Sequence, residues 1–220
     1  MRIDICFFRQ HWLVMVTAVA VAAIVGDVSA TEPESSPTDD PYPLVKCVIL
    51  DGALDDGADV LYVGDREIRV CCQECVNEFS GSEETWIGVV DELIIEQQVP
   101  YYPLNKCIVD GKLLDDFSTI DKVVGNRLFR VCSDDCCQAV EQQPATYFGV
   151  LNKAVIKKQK PTYPLAKCVV SDEALGKHAI DHVVGNQLIR LSSSEQLDRF
   201  DTNPGKYLQE LRQLMKKKAR

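Results

Sequence analysis

The sequence contains one six-residue motif three times: YPLVKC at residues 42–47, YPLNKC at 102–107 and YPLAKC at 163–168. The copies recur at intervals of about 60 residues, which is the period of a tandem repeat rather than of a single helix or strand. We therefore read the chain outward from these motifs as three copies of one small module.

A turn sequence follows each motif, with alternating apolar residues on both sides. The three turns are Gly64-Asp65, Gly125-Asn126 and Gly185-Asn186. Glycine followed by Asp or Asn in this setting is typical of a two-residue β-hairpin turn, in which glycine adopts a positive φ. Each copy is therefore predicted to contain one hairpin.

Two helices are predicted after each hairpin. A short one begins near Ile68–Cys71 in the first copy and at the matching positions of the others. A longer one follows from the helical spacing of apolar residues over 86–94, 147–154 and 207–215. Asn203 before Pro204 is typical of a helix start. The predicted fold class is α+β, with three tandem units that each hold a short strand, a β-hairpin and two helices.

The N-terminus decides the predicted compartment. Arg2 and Arg9 precede an apolar run over residues 12–26, and Val28-Ser29-Ala30 follows it. This order predicts a signal peptide over 1–30, cleaved after Ala30, and a secreted or periplasmic protein. The run is shorter than the ~20 apolar residues of a membrane-spanning helix, so an uncleaved anchor is the weaker interpretation. Contact with a membrane is expected only through this segment, before cleavage.

The remaining boundaries follow from composition and from the motifs. Residues 31–41 are polar and rich in proline, which predicts a disordered linker. The three repeats are placed at 42–100, 101–161 and 162–220.

Charge and motif content narrow the function classes. The formal net charge is -9, so a nucleic-acid partner would be repelled. HExxH, GxSxG and P-loop sequences do not occur in the chain, and we expect no enzyme activity. The expected partners are a metal ion and another exported protein.

Cysteine spacing points to a metal ion. The chain has 10 cysteines, and an odd number remains once Cys6 leaves with the signal peptide. The first two repeats share one arrangement, a single cysteine followed by a pair four residues apart: Cys47, Cys71 and Cys75 in the first, Cys107, Cys132 and Cys136 in the second. Residues four apart share one helix face, and a helix N-terminus favours the thiolate that binds metal. These six cysteines are the predicted ligands of Zn(II), Cu(I) or another thiophilic ion.

The fourth ligand is left open by the sequence. Asp51 and Asp110 are candidate carboxylate donors, and water or a guest ligand would serve equally. Cys72 and Cys137 adjoin the predicted ligands and are not expected to complete the same tetrahedron.

The third repeat keeps only part of the pattern. It has Cys168, but Ser192 and Gln196 stand where the other two sulfurs would be. This predicts a repeat that folds without a metal site. His178 and His182 are spaced four apart and offer a replacement site, against the simpler interpretation of exposed loop histidines.

The whole pattern resembles a known family. A lone cysteine, a gap of some twenty residues, C-x-x-x-C, an aromatic residue and N-P-x-x-Y (Phe200, Asn203, Pro204, Tyr207) are similar to TRASH/YHS domains. The resemblance implies a treble-clef-like fold, with the cysteines as ligands in heavy-metal sensing, trafficking or resistance.

Two other functions fit the same cysteines. Export places the chain where thiols oxidise, so a disulfide-stapled interaction scaffold without metal is the main alternative, with the third repeat acting as a cap. A thiol oxidoreductase is the second, because Cys72-Gln-Glu-Cys75 is a C-x-x-C at a predicted helix start.

Overall fold

The computed structural model describes residues 40–64, 66–115 and 117–218. The predicted signal peptide and most of the predicted linker lie outside the described residues. No helix in the described ranges is long and apolar enough to cross a membrane.

The same four elements occur three times along the chain. The first set is β1 (Asp59–Val63), β2 (Arg66–Val70), α1 (Gln73–Gly81) and α2 (Glu83–Gln98). The second is β3 (Ile120–Val124), β4 (Arg127–Val131), α3 (Asp134–Gln142) and α4 (Pro144–Gln159). The third is β5 (Ile180–Val184), β6 (Gln187–Leu191), α5 (Glu195–Thr202) and α6 (Pro204–Lys218). We call these sets, with the motif before each, unit one, unit two and unit three. The α+β prediction is confirmed, and the likeness to a treble clef stays a prediction.

Each unit contains one antiparallel hairpin with a two-residue turn. In unit two, Val124 pairs with Arg127 across Gly125 and Asn126. These two turn residues have φ angles of 51° and 60°. Positive φ at both positions gives the turn that matches the right-handed twist of the strands, and glycine and asparagine tolerate it best. The predicted turn is confirmed.

The first helix of each unit begins later than the sequence predicted. Ile68 and Val70 lie in β2 and are buried, while Arg69 between them is partly exposed. This alternation belongs to a strand with one covered face. The placement of a helix at Ile68–Cys71 is therefore wrong, and α1 starts at Gln73.

The predicted short strand before each hairpin is a tight turn closed by one bridge. Lys46 pairs with Ala53, and the matching bridges join Lys106 to Leu113 and Lys167 to Ala174. Inside the first turn, the Cys47 amide donates to the Gly52 carbonyl at 2.8 Å. The first cysteine of each unit therefore lies in a compact turn. We call this turn the knuckle; it covers residues 46–53, 106–113 and 167–174.

Each unit has its own small core, and cysteines belong to it. Cys47, Cys75 and Phe79 are buried in unit one together with Val90 and Ile94 of α2. The prediction that Val90 and Ile94 belong to the apolar core face of the long helix is confirmed.

The sequence pattern assigned more residues of the long helices to the core than the structure buries. Leu93 and Val150 are 38% and 46% exposed, because only a narrow face of each long helix meets its hairpin. In α4 the sequence pattern placed Tyr147 in the core, but its neighbour Phe148 is the buried aromatic residue. The Phe148 ring lies 5.3 Å from that of Phe129.

A glutamine at the end of each of the first two long helices holds the next hairpin. Gln98 accepts from the Leu128 amide at 2.8 Å and donates to the Asn126 carbonyl at 2.9 Å. Gln159 makes the same two bonds in unit three, to Leu188 and Asn186. The two junctions are therefore equivalent, and each satisfies backbone groups that would otherwise be buried without partners.

Asp40, at the end of the predicted linker, is a buried structural residue. Its carboxylate binds the Arg127 guanidinium through two hydrogen bonds and accepts from the Gly185 amide at 2.6 Å. Its own amide donates to the Gly125 carbonyl at 2.6 Å. The linker prediction is therefore wrong at Asp40, because its carboxylate compensates an arginine that is itself buried.

Unit three also contacts unit one. Arg69 donates to the carbonyls of Asp201 and Thr202, and Asn203 donates to the Leu54 carbonyl at 3.3 Å. Gly205 lies so close to the Leu44 carbonyl that a Cβ there would come within 2.6 Å of the oxygen. The first and last units are thus joined directly.

Replacing Arg127 with methionine would leave Asp40 as a buried, unpaired carboxylate. We expect Arg127→Met to lower the free energy of unfolding by about 3–5 kcal/mol. Arg130→Met is the matched control, because Arg130 pairs with Asp121 where both side chains are 27% exposed, and its cost should be about 1 kcal/mol or less. Urea unfolding measures both, and equal losses would contradict a central role for the Asp40 pair.

Candidate metal centres

Unit one brings three predicted ligands together. The sulfurs of Cys47, Cys71 and Cys75 all lie within 4.8 Å of one another, and we call this cluster site one. Cys47 comes from the knuckle, Cys71 follows β2, and Cys75 lies in the first turn of α1. The distance from Cys71 Sγ to Cys75 Sγ is 3.7 Å.

These separations fit a bound ion. A tetrahedral ion with metal–sulfur bonds of about 2.3 Å places its sulfurs about 3.8 Å apart. The corresponding sulfurs in unit two, those of Cys132 and Cys136, are 3.9 Å apart. Both clusters therefore could hold a metal ion with little rearrangement.

Unit two adds a carboxylate to its three sulfurs. Cys107, Asp110, Cys132 and Cys136 form one cluster, which we call site two. An Asp110 carboxylate oxygen lies 3.2 Å from Cys132 Sγ. The same side chain pairs with Lys112 at 2.8 Å. Three sulfurs and one oxygen are a complete donor set for a four-coordinate ion.

The two aspartates considered from the sequence have different positions. Asp51 lies outside site one; it is exposed and pairs with Lys46 at 2.5 Å. Its φ of 55° shows that the fourth residue after the cysteine reverses the chain. Asp110 is the third residue after its cysteine and lies beside the sulfurs. The sequence feature that separates the two aspartates is this one-residue difference in their distance from the cysteine.

Local electrostatics favour one thiolate in site one. Burial opposes ionisation of Cys47, but the amides of Leu50, Ile49 and Cys71 outweigh it and lower the pKa of this thiol. Burial, followed by hydrogen bonds of the Cys75 thiol to the Cys72 and Cys47 sulfurs, raises the pKa of Cys75. The cluster thus stabilises one thiolate and disfavours the ionisation of a second thiol. A bound cation would offset the repulsion between two thiolates.

Site two shows the same resistance to a second charge. Burial, with the neighbouring Asp110, raises the pKa of Cys132 to about 12. The Lys112 ammonium and amide hold the pKa of Asp110 well below its usual range. The carboxylate is therefore present as an anion and able to ligate.

Unit three has a hydroxyl–carboxylate network in place of the sulfur cluster, with Ser192 at the position of Cys71. Ser192 donates to a Glu173 carboxylate oxygen at 2.7 Å and lies 3.1 Å from the Ser171 hydroxyl. Cys168 remains buried beneath this network. Among the described residues, the two groups able to hold a metal are sites one and two, and neither belongs to unit three.

The histidines of unit three do not form a replacement site among the described residues. His182 lies in β5 rather than in a loop, and its ring packs edge-on against Phe200 at 5.6 Å. His178 is exposed. The loop interpretation is therefore right for His178 and wrong for His182, because the hairpin starts at Ile180.

The two additional cysteines are not equivalent. Cys137 packs among the apolar side chains of the unit two core. Cys72 precedes α1, and its Sγ lies 3.5 Å from Cys75 Sγ. They differ in register, because Cys72 follows the first cysteine of its pair and Cys137 follows the second. Cys72 therefore occupies the position whose side chain turns back over the first helical turn.

The nine cysteines of the described residues are all free thiols. The disulfide scaffold stays a prediction for an oxidised form of the protein. The C-x-x-C oxidoreductase likewise stays a prediction.

Comparison with family models, curated proteins and solved structures finds no match. The resemblance to TRASH/YHS domains therefore rests on the sequence motifs alone.

Burial of His182 gives unit three a pH-dependent stability. Burial lowers the pKa of this imidazole, so the folded state keeps it neutral. As pH falls through the ordinary histidine pKa of about 6.5, the unfolded state binds a proton that the folded state does not bind. The free energy of unfolding therefore decreases. We expect His182→Leu, which copies Leu61 of unit one, to lose less stability than the parent between about pH 7.5 and pH 5.5.

Urea unfolding at several pH values measures this effect. His178→Asn is the control, since His178 is exposed. If His182→Leu and the parent lost stability in parallel, the pH effect would have another origin.

Proposed function

We propose that this protein is exported and holds thiophilic metal ions, one in site one and one in site two. The convergence of three sulfurs in each site supports this most directly. The sulfurs come from segments more than twenty residues apart in sequence, and the repeat places them together twice.

The donor set favours a soft or borderline ion. Thiolates select Zn(II), Cu(I) and heavier thiophilic ions, whereas Mg²⁺ and Ca²⁺ prefer oxygen. Site two, with one carboxylate, is the better match to Zn(II). Kinship to TRASH/YHS domains, which we propose from the motifs, supports the same class of ion.

An ion would join the two halves of a unit. In unit one it would connect the knuckle at Cys47 to the start of α1 at Cys75. A unit of about 60 residues buries too little surface to be robust alone, and a structural zinc ion can contribute an apparent ~10–16 kcal/mol. Structural stabilisation, sequestration and trafficking of the ion all follow from such a site, and we propose no catalysis.

Stoichiometry tests the assignment. We expect the reduced protein to bind two zinc ions per chain, one for each cluster. Cys75→Ser and Cys136→Ser should each bind one, because each loses a buried sulfur of one cluster. Native electrospray mass spectrometry counts the ions.

Cys168→Ser is the matched control for these variants, since it removes a buried cysteine that has no sulfur partners. It should still bind two ions. A parent protein that binds none, with a mass short by two protons for each bridge, would instead support the disulfide scaffold.

The carboxylate of site two can be tested separately. We expect Asp110→Asn to weaken one of the two bound ions by about tenfold or more, because a neutral amide is a poorer ligand than a carboxylate. Asp51→Asn should change neither affinity, since Asp51 pairs with Lys46 on the surface. Competition with a chromogenic chelator measures both. Unchanged binding in Asp110→Asn would remove Asp110 from the ligand set.

A further inference from the structure

Unit one carries a thiol that the proposed site does not use. Cys72 precedes α1, and Ser133 has the same place before α3. The Ser133 hydroxyl caps its helix by accepting from the Cys136 amide at 3.3 Å. The Cys72 sulfur has the same place as this hydroxyl, facing the amides at the start of α1, and it lies 3.5 Å from Cys75 Sγ. A fourth sulfur therefore stands beside site one, where site two has a structural hydroxyl.

The two sites also differ at the fourth ligand position. Asp110 completes site two, whereas Leu50 occupies the matching place in unit one and is 60% exposed. Within the described ranges, no carboxylate or imidazole joins the three sulfurs of site one. Site one therefore has an open side, which is the arrangement of metal sites that admit an external ligand.

A cavity adjoins one residue of site one. It has a volume of about 440 Å³ and reaches Cys75. Leu50 and Trp86 line its apolar part, and Glu74 and Glu78 line its acidic part. The carboxylates favour the metal ion and a neutral or cationic small-molecule thiol over an anionic one, and the volume is in the range that accommodates a small molecule.

We propose that site one is an exchange site, in which Cys72 moves the ion from the buried ligand set to an incoming small-molecule thiol, whereas site two retains its ion. This inference rests on the proposed function of the two clusters. It adds that the two ions have different roles, the first transferable and the second structural.

The exchange is a substitution of one thiolate for another. Cys72 loses its proton to water and forms a metal–sulfur bond as the bond to Cys71 breaks, and Cys71 then takes up a proton. The ion is then held by Cys47, Cys72 and Cys75. An incoming thiol loses its proton to water and binds the ion as the bond to Cys47 breaks, and Cys47 takes up a proton. The ion is left at the start of α1, beside the cavity. Protons balance and no electron is transferred, so neither an oxidant nor a reductant is needed.

Release kinetics test this with the full chain loaded with two zinc ions. A chromogenic chelator is added in excess, under a phosphine reductant that keeps every cysteine as a thiol. We expect two phases of equal amplitude, a fast one from site one and a slow one from site two. Cys75→Ser should lack the fast phase and Cys136→Ser the slow one, which assigns them.

Two matched variants then probe the exchange ligand. Cys72→Ser, which copies unit two, should still bind two ions but release the first about tenfold more slowly. Ser133→Cys, which copies unit one, should accelerate the slow phase. Adding a small thiol should speed release from the parent more than from Cys72→Ser.

Three results would overturn the inference. Unchanged release rates in Cys72→Ser, with both ions bound, would show that Cys72 takes no part, and the proposed function would stand. Loss of one ion in Cys72→Ser would make Cys72 a permanent ligand. A parent that binds no ion would defeat the proposed function together with this inference.

Discussion

Crowding of thiol groups is the constraint on which the rest of this structure depends. Three sulfurs within 4.8 Å of one another cannot all carry a negative charge in a partly buried place unless something positive compensates them. The chain provides partial compensation through amide groups of the knuckle, which favour a thiolate at Cys47. The neighbouring Cys75 is left as a thiol, and a cation is the component that would complete the balance.

The remainder of each unit serves to fix the two ends of this cluster. A two-residue hairpin turn gives β2 a defined length, so Cys71 leaves the strand at a set point. The core residues Phe79 and Val90 then hold α1 and α2 against that hairpin. In unit three the same scaffold is kept while Ser192 and Glu173 form a hydrogen-bonded network in place of the cluster. The scaffold therefore accommodates a hydroxyl–carboxylate network at the place where the other two units crowd their thiols, and it keeps the buried Cys168.

Much of this arrangement could be predicted from the sequence, because it depends on local geometry. Gly125-Asn126 fixes its turn, and the spacing of Cys71 and Cys75 indicated that their sulfurs would meet. The expected reason was wrong, because Cys71 lies between β2 and α1 and not on a helix face. The different positions of Asp51 and Asp110 could not be predicted from their one-residue difference in spacing alone. The meaning of that difference depends on the turn, whose fourth residue after the cysteine has a positive φ in every unit. Nor could the burial of Asp40 be predicted, since its neighbours are polar and its partner Arg127 is 87 residues away. Long-range pairing of charges leaves no periodic signal in a sequence.

The position of Asp40 has a consequence for how such a chain can evolve. Its carboxylate is shared between Arg127 of unit two and Gly185 of unit three, and unit three returns to contact unit one through Arg69. A fourth unit added after unit three would find this surface of unit one, at Arg69 and Leu54, already covered by unit three. It would therefore need contacts that the three present units do not repeat.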